Sequence, residues 1–156
     1  MNLALIKTIL KAKHNGLLKL VPASGPTRLY CLADKCAKCC KTIGVPVVSI
    51  AESQKIDGNA IVRTSHGMFI RAEKSVCCLL KNNLCSIYTD RPKGCREYPW
   101  YNVNSRLYYD KGCPGIKHDI DERPQVDTIQ PFENFFPLTS KPILWLIKKI
   151  CVAAPD

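Results

Sequence analysis

Thiol side chains dominate the residues of this chain that could do chemistry. Ten of its 156 residues are cysteines, and eight of those lie between positions 36 and 113. Three form a C-x-x-C-C group, and five follow some forty residues later: Cys36, Cys39 and Cys40, then Cys77, Cys78, Cys85, Cys95 and Cys113. Turn-forming and small polar residues surround them, instead of the apolar periodicity that buries a thiol in a core. Thiols gathered in this way bind metal or form disulfides.

The composition favours metal over disulfides, although it leaves the disulfide alternative open. Ten cysteines in 156 residues are about 6%, below the share of about 8–10% that is typical of small disulfide-rich domains. The apolar run near the start is interrupted by Lys7 and Lys11 and has no small-residue cleavage site after it, unlike a secretory signal. We therefore expect a cytoplasmic protein with reduced thiols. No apolar run is long enough to predict a transmembrane segment.

The net charge of +10 raises the question of an anionic partner. Lysines and arginines are spread along the chain, with modest concentrations at positions 7–19, 35–41 and 91–96. There is no dense basic tract of the kind that typically binds nucleic acid. A solvated basic surface explains this charge, and binding to nucleic acid or to an anionic membrane stays as the alternative.

The elements that position the first cysteines can be predicted from turn residues and periodicity. Residues 20–30 contain two prolines and a glycine, which predicts a loop leading to the first cysteines. The β-branched run 45–50 predicts a strand. Ser49, followed three residues later by Glu52, predicts a capped short helix that continues through Ile56.

The later cysteines are expected on hairpins and a short helix. Residues 61–72 alternate apolar and polar side chains around a Ser-His-Gly turn, which predicts a hairpin. A second turn at 81–83 brings Cys85 back towards the cysteine pair before it, as two ligands of one metal require. Pro92 suits the first turn of a short helix that carries Cys95. Amphipathic helices are predicted at the two ends, over residues 1–13 and 141–153.

The order of these short motifs resembles that of a known family. The motifs are Cys36-x-x-Cys39-Cys40, Cys77-Cys78-Leu79-Leu80, Cys85-Ser86-Ile87-Tyr88, Arg91-Pro92-x-x-Cys95-Arg96-x-Tyr98-Pro99-Trp100 and Cys113-Pro114-Gly115-Ile116. The YkgJ-type cysteine-cluster family, named for a C-x-x-C-x-x-C-C signature, typically reads C-x-F-L, C-x-I-Y, R-P-x-x-C-R-x-F-P and C-P-G in this order. The resemblance covers residues 29–117.

The resemblance implies a set of metal ligands. These are Cys31, Cys36, Cys39, Cys40, Cys77, Cys85, Cys95 and Cys113. The first cysteine of the signature would fall at Ala33, so either Cys31 replaces it or this chain has one ligand fewer. Cys78 takes a variable position of the family, and Cys151 lies outside the matched region on an apolar helical face, which predicts a core thiol.

The metal is expected to be a 4Fe-4S cluster or zinc, because a C-x-x-C element and about four thiolates suit both. Members of the family are frequently described as iron-sulfur proteins, and a flagellin lysine methylase is similar in this region. The expected function is metal binding with a redox or protein-modification role. The alternative is a zinc-stabilised module that binds a protein or nucleic acid. The residues do not decide whether the chain is an enzyme, and they leave its substrate or protein partner open.

Charged and aromatic residues beside the cysteines allow two interpretations. Arg91, Arg96 and Tyr88 could anchor a substrate carboxylate or donate to cluster sulfur. Alternatively, the two arginines offset thiolate charge and hold the loop by hydrogen bonds to carbonyls. His66 or His118 could complete a site that is short of a thiolate, although a surface position explains each of them.

The expected fold is a small α+β domain of short helices and hairpins organised around a cysteine-rich metal site. We divide it into an N-terminal amphipathic helix and linker (1–28), a cysteine-cluster domain (29–117) and a C-terminal extension (118–156). The extension, with its terminal helix, is expected to pack on the same domain.

Overall fold

Short helices and small antiparallel sheets make up this α+β fold, as the sequence predicted. The computed structural model describes residues 3–31, 35–42 and 46–154. Within those ranges it has five α-helices: α1 (Leu3–His14), α2 (Lys38–Thr42), α3 (Ile50–Ser53), α4 (Lys93–Glu97) and α5 (Lys141–Cys151). Single turns of 3-10 helix occur at Gly58–Ala60, Tyr88–Asp90, Val126–Thr128 and Phe132–Phe135.

The described strands are short and pair in five antiparallel sheets. They are β1 (Leu20–Pro22), β2 (Arg28–Leu29), β3 (Val47–Val48), β4 (Ile61–Thr64), β5 (Gly67–Ile70), β6 (Ala72–Glu73), β7 (Val76–Cys77), β8 (Leu80–Lys81), β9 (Leu84–Cys85), β10 (Trp100–Val103), β11 (Arg106–Asp110) and β12 (Ile116–Lys117). Two sheets have three strands, in the orders β1-β11-β10 and β3-β5-β4. The pairs β12-β2, β6-β7 and β8-β9 complete the set.

The larger hydrophobic core joins both ends of the chain to the sheet β1-β11-β10. Ile9 of α1, Ile147 of α5 and Tyr101 of β10 are buried together with Phe132. Lys13 Nζ donates to a carbonyl in the last turn of α5, which favours a cation because the helix dipole is negative there. Helix α1 therefore packs directly against α5.

A buried carboxylate fixes the chain between α1 and β1 to strand β11. Asp110 has no exposed surface, and its oxygens accept the backbone N–H groups of Leu18 at 2.7 Å and Lys19 at 3.1 Å. The Tyr98 hydroxyl donates to the same carboxylate at 3.2 Å. Because a buried charge is costly unless it is hydrogen-bonded, these contacts make Asp110 a structural anchor.

The smaller core lies under the sheet β3-β5-β4. Its buried residues are Val48, Ile56, Ala60 and Ile70, and Cys77, Cys78 and Leu79 are among those packed against it. The predicted capping box is confirmed: Ser49 Oγ accepts the N–H of Glu52, whose carboxylate accepts the N–H of Ser49. The α-helix ends at Ser53, earlier than the predicted Ile56.

The prediction of a loop over residues 20–30 was wrong in part. Strand β1 pairs with β11 and strand β2 pairs with β12. A strand of two or three residues is too short to show a period, and the partners lie some ninety residues away in sequence. The hairpin predicted over residues 61–72 is present as β4 and β5.

The structure also bears on the missing signature cysteine and on membrane-spanning helices. Ala33, where the family signature places its first cysteine, lies outside the described residues. Among the described helices, none combines the length and the apolar character that crossing a membrane requires.

Candidate metal centre

Two successive hairpins hold Cys77 and Cys85 in equivalent positions. In the first, β6 and β7 pair Ala72 with Cys77, and in the second, β8 and β9 pair Leu80 with Cys85. Each two-residue loop has left-handed backbone at both positions, with φ between 50 and 72°. This is the geometry of tight hairpin turns. The hairpins are therefore two copies of one eight-residue unit.

Each copy is closed by the same backbone hydrogen bond. The N–H of Cys78 donates to the carbonyl of Arg71 at 3.0 Å, and the N–H of Ser86 donates to Leu79 at 2.9 Å. This repeat was not predicted from the sequence. Its signal is the spacing of eight between Cys77 and Cys85, with turn-forming dipeptides in the same place in each unit.

Three of the cysteine sulfurs accept a hydrogen bond from the backbone two residues further on. The donors are the N–H of Leu79 to Cys77, of Ile87 to Cys85 and of Gly115 to Cys113. Such a bond stabilises a thiolate more than a thiol, and hydrogen bonds to sulfur tune bound metal centres. The turns after these cysteines thus provide sulfur acceptors that suit metal binding.

Four thiols from four different elements lie near enough to influence one another electrostatically. They are Cys40 of α2, Cys77 of β7, Cys85 of β9 and Cys95 of α4. Burial is the largest cause of the raised pKa values of Cys77, Cys85 and Cys95. Charge on a neighbouring thiol raises these values further, and all six pairs among the four thiols are linked in this way. Helix α2 packs on β7, which brings the first two together. We call these four residues the inner quartet.

Electrostatic influence also links a second set of thiols. After burial, the pKa of Cys113 is raised by charge on Cys31 and Cys36. After the hydrogen bond to Cys40 and burial, charge on Cys40, Cys31 and Cys95 also raises the pKa of Cys39. We call these four the outer set: Cys31, Cys36, Cys39 and Cys113.

The adjacent cysteines Cys39 and Cys40 differ in proton affinity. The Cys39 thiol donates a hydrogen bond to the Cys40 sulfur, and this bond, together with burial, holds the pKa of Cys39 well above its ordinary value. The same bond lowers the pKa of Cys40 to about 7. Cys40 is therefore the thiol of the pair that is more readily ionised, as a metal ligand must be.

Burial keeps most of the other thiols protonated near neutral pH. It raises the pKa of Cys95 to about 12 and those of Cys77 and Cys113 to about 11. Buried thiolates are costly without a compensating positive charge. A bound metal provides that charge and releases the protons, so metal binding and ionisation of these thiols are coupled.

A cavity of about 220 Å³ adjoins both sets of thiols. Its wall contains residues of both hydrophobic cores, including Ile70 and Phe132. Among the residues lining it are eight cysteines: Cys31, Cys36, Cys39, Cys40, Cys77, Cys85, Cys95 and Cys151. The remaining wall is mostly apolar, so the thiols face a space with a low dielectric constant.

Arg91 supplies positive charge to the inner quartet. Its guanidinium lies 3.6 Å from the centre of the Tyr88 ring, and its Nε donates to the Tyr88 carbonyl at 2.8 Å. Arg91 lines the cavity. It adds to the larger effect of the Cys39 hydrogen bond in lowering the pKa of Cys40, and it opposes the larger effect of burial on the pKa of Cys85 and Cys95. Arg96 donates to the Arg91 carbonyl. These contacts fit the interpretation that both arginines hold the loop and that Arg91 offsets thiolate charge.

Two cysteines, Cys78 and Cys151, and the histidines His66 and His118 lie outside the two sets of thiols. Cys78 points away from the cavity lining, and its sulfur lies 4.0 Å from the carbonyl oxygen of Ala60. Cys151 is buried in the larger core and reaches the cavity from α5. His66 is exposed in the β4-β5 turn, and His118 contacts the Tyr109 ring. Neither histidine is among the described residues that line the cavity.

The side chains of this region are of the type that binds metal, although the thiols are not arranged closely around a single ion. Within the described ranges, no three His, Cys, Asp or Glu side chains are close enough to hold one metal ion as they stand. All ten cysteines are thiols, with no disulfide among them. Eight thiols in two sets, with N–H donors and an arginine beside them, are the ligand type that zinc and iron-sulfur clusters prefer.

Comparison with known proteins identifies the family. No curated protein and no solved structure gives a significant match to the chain. The family model CxxCxxCC, described as a candidate zinc- or iron-chelating domain, matches residues 30–114, which contain both sets of thiols. This agrees with the YkgJ-type resemblance and with the region predicted for it. The chain belongs to the CxxCxxCC family of cysteine-cluster, metal-chelating domains.

Proposed function

We propose that this chain holds a 4Fe-4S cluster on the inner quartet, Cys40, Cys77, Cys85 and Cys95, and a second metal centre on the outer set. The mutual electrostatic influence of the four inner thiols, which come from four different elements, carries this proposal. Cysteine ligands of such a cluster are often gathered from separate turns. Adjacent Cys39 and Cys40 then serve different centres.

The spacing of the thiols favours a cluster over a single zinc ion in the inner quartet. Sulfurs bound at about 2.3 Å to one tetrahedral zinc lie roughly 4 Å apart. The described thiols do not form a group of three that is so compact, and the space beside them, about 220 Å³, exceeds that of one ion. When bound, a 4Fe-4S cluster supplies electron-transfer chemistry at a potential that the surrounding protein sets.

Residues around the inner quartet would control that potential. Arg91 places a positive charge beside the thiolates, and the N–H groups of Leu79 and Ile87 donate to Cys77 and Cys85. Tyr98 on the cavity wall helps to exclude water. Positive charge, hydrogen bonds to sulfur and exclusion of solvent are the means by which proteins tune clusters. The redox or protein-modification role expected from the resemblance is part of this proposal, and the substrate is left open.

Serine variants of the adjacent cysteines Cys77 and Cys78 test the ligand assignment. Serine is a poor ligand for soft metals, so Cys77→Ser should lose most of the iron and acid-labile sulfide of the anaerobically purified protein. Cys78→Ser, one residue away and directed towards Ala60, is the matched control and should keep both. Full iron and sulfide in Cys77→Ser, or equal losses in the two variants, would refute the assignment.

The outer set is tested separately with Cys113. Cys113→Ser should reduce total metal while the absorption of the inner cluster near 400 nm persists, because the thiols that raise the pKa of Cys113 are Cys31 and Cys36 of the outer set. Cys31→Ser should give the same partial loss if Cys31 replaces the cysteine expected at Ala33. Loss of all metal in Cys113→Ser would show a single shared centre and contradict the division into two sets.

A further inference from the structure

The outer face of helix α5 is exposed, apolar and basic at once. Leu138, just before the helix, has 76% of its surface exposed, and Trp145 has 62%. The exposed apolar and basic residues of this segment, which we call the Trp145 face, are Leu138, Lys141, Pro142, Trp145, Leu146 and Lys149. Ile147 and Cys151 point the other way into the core.

The spacing places these residues on one side of the helix. Lys141, Trp145 and Lys149 recur every four residues, so they form one row along the helix. Pro142 and Leu146 form the adjacent row. Lys149 Nζ lies 5.5 Å from the centre of the Trp145 ring. The Lys149 ammonium therefore lies beside the indole, and Lys141 stands one turn earlier in the same row.

The charged residues of helices α1 and α5 have one sign. Helix α5 and the helix that packs against it, α1, contain lysines and no acidic residue. Protein groups bind some of those lysines, since Lys13 donates to the backbone of α5 and Lys148 pairs with Glu133. Lys7, Lys141 and Lys149 are exposed. An anionic partner is therefore favoured.

We propose that the Trp145 face binds peripherally to the surface of an anionic lipid bilayer. Tryptophan and leucine enter the boundary between headgroups and acyl chains, while lysines beside them contact anionic headgroups. An 11-residue helix is about 16 Å long, so it lies in the plane of the interface. Nucleic acid would satisfy the lysines without giving the leucines an apolar environment. A second copy of this chain would bring another +10 charge to the contact.

Vesicle co-sedimentation with the full chain tests this proposal. The vesicles are phosphatidylcholine alone, or phosphatidylcholine mixed with phosphatidylglycerol. We expect sedimentation only with the anionic mixture and its loss at high salt, because salt screens the headgroup attraction. Trp100 is buried, so a blue shift of the fluorescence on binding reports Trp145. Absence of sedimentation with anionic vesicles overturns the proposal.

Surface variants localise the binding. Trp145→Ser and Lys149→Glu should each weaken vesicle binding about tenfold. The matched controls are Ile120→Ser and Lys55→Glu, which change an exposed apolar residue and an exposed lysine on other segments and should bind like the unaltered protein. All four positions are exposed, so thermal midpoints should stay close together.

Three outcomes would contradict the assignment. Unchanged vesicle binding in Trp145→Ser and Lys149→Glu would place the interaction on another surface. Binding to duplex DNA that these variants abolish, without vesicle binding, would make the face a nucleic-acid site. A dimer in buffer that Trp145→Ser dissociates, without vesicle binding, would make it a self-association surface.

Discussion

The Glu52 carboxylate joins two helices by accepting the backbone N–H of Lys93. Its Oε1 lies 2.6 Å from Lys93 N at the start of α4, and its Oε2 accepts the N–H of Ser49 at 2.8 Å. One side chain thus satisfies N–H groups at the beginning of both α3 and α4. Because α4 carries Cys95, Glu52 helps to hold one wall of the inner quartet in place.

Removing this carboxylate should destabilise the fold. Glu52→Ala leaves two N–H groups without their acceptor, so we expect the free energy of unfolding to fall by about 1–2 kcal/mol. Urea unfolding measures it. Glu122→Ala, at an exposed acidic position, is the control and should change stability little. Equal stability of the two variants would show that the Glu52 contacts contribute nothing.

The contribution of Glu52 should depend on pH. Burial opposes ionisation of Glu52, but hydrogen bonds from Ser49 and Lys93 outweigh it and hold the pKa below its ordinary value. A group with a lowered pKa in the folded state stabilises fully above its unfolded pKa, about 4.3, and loses this effect as pH falls further. The stability difference between the unaltered protein and Glu52→Ala should therefore shrink below about pH 4. A difference that stays constant down to pH 2 would contradict this.

Gly112 is required by a close approach of two chain segments. A Cβ at this position would overlap the carbonyl oxygen of Gly16. Gly112→Ala should therefore destabilise the protein by roughly 3 kcal/mol or more, or prevent folding. Gly25→Ala meets nothing within 4 Å and is the matched control, with an expected change below about 1 kcal/mol. Comparable thermal midpoints for the two variants would show that the segments do not meet.

Local sequence signals predicted local elements well. The capping box of Ser49 and Glu52 and the turn at 81–83 each lie within a few residues, so their geometry follows from residue type. The two-residue strand β2 was not predicted, because its partner β12 lies far along the chain. Periodicity carries no information about such a pairing.

The site was predictable as a list of thiols but not as an arrangement. The predicted ligands Cys40 and Cys95 influence each other electrostatically across 55 residues of sequence. The hydrogen bond from Cys39 to Cys40 also depends on side-chain positions that the C-x-x-C-C spacing leaves free. The family resemblance supplied the candidate ligands, and their division into two sets is part of our proposal.

Metal removal should loosen the domain if the bound metal is structural. Binding free energy is part of the folding free energy when the ligands come from separate elements, as those of the inner quartet do. We expect a strong chelator that removes the metal to lower the thermal midpoint. An unchanged midpoint, with metal analysis showing that the protein is empty, would contradict a structural role.

Iron, sulfide and zinc analysis of anaerobically purified protein, together with its absorption spectrum, tests the central claim most directly. A 4Fe-4S cluster on the inner quartet predicts a brown protein that absorbs near 400 nm, with about four iron and four sulfide ions per cluster. A colourless protein that contains zinc and no sulfide would contradict the cluster and support a zinc-stabilised module. A purified protein that binds neither metal, even after reconstitution, would contradict the metal centre itself.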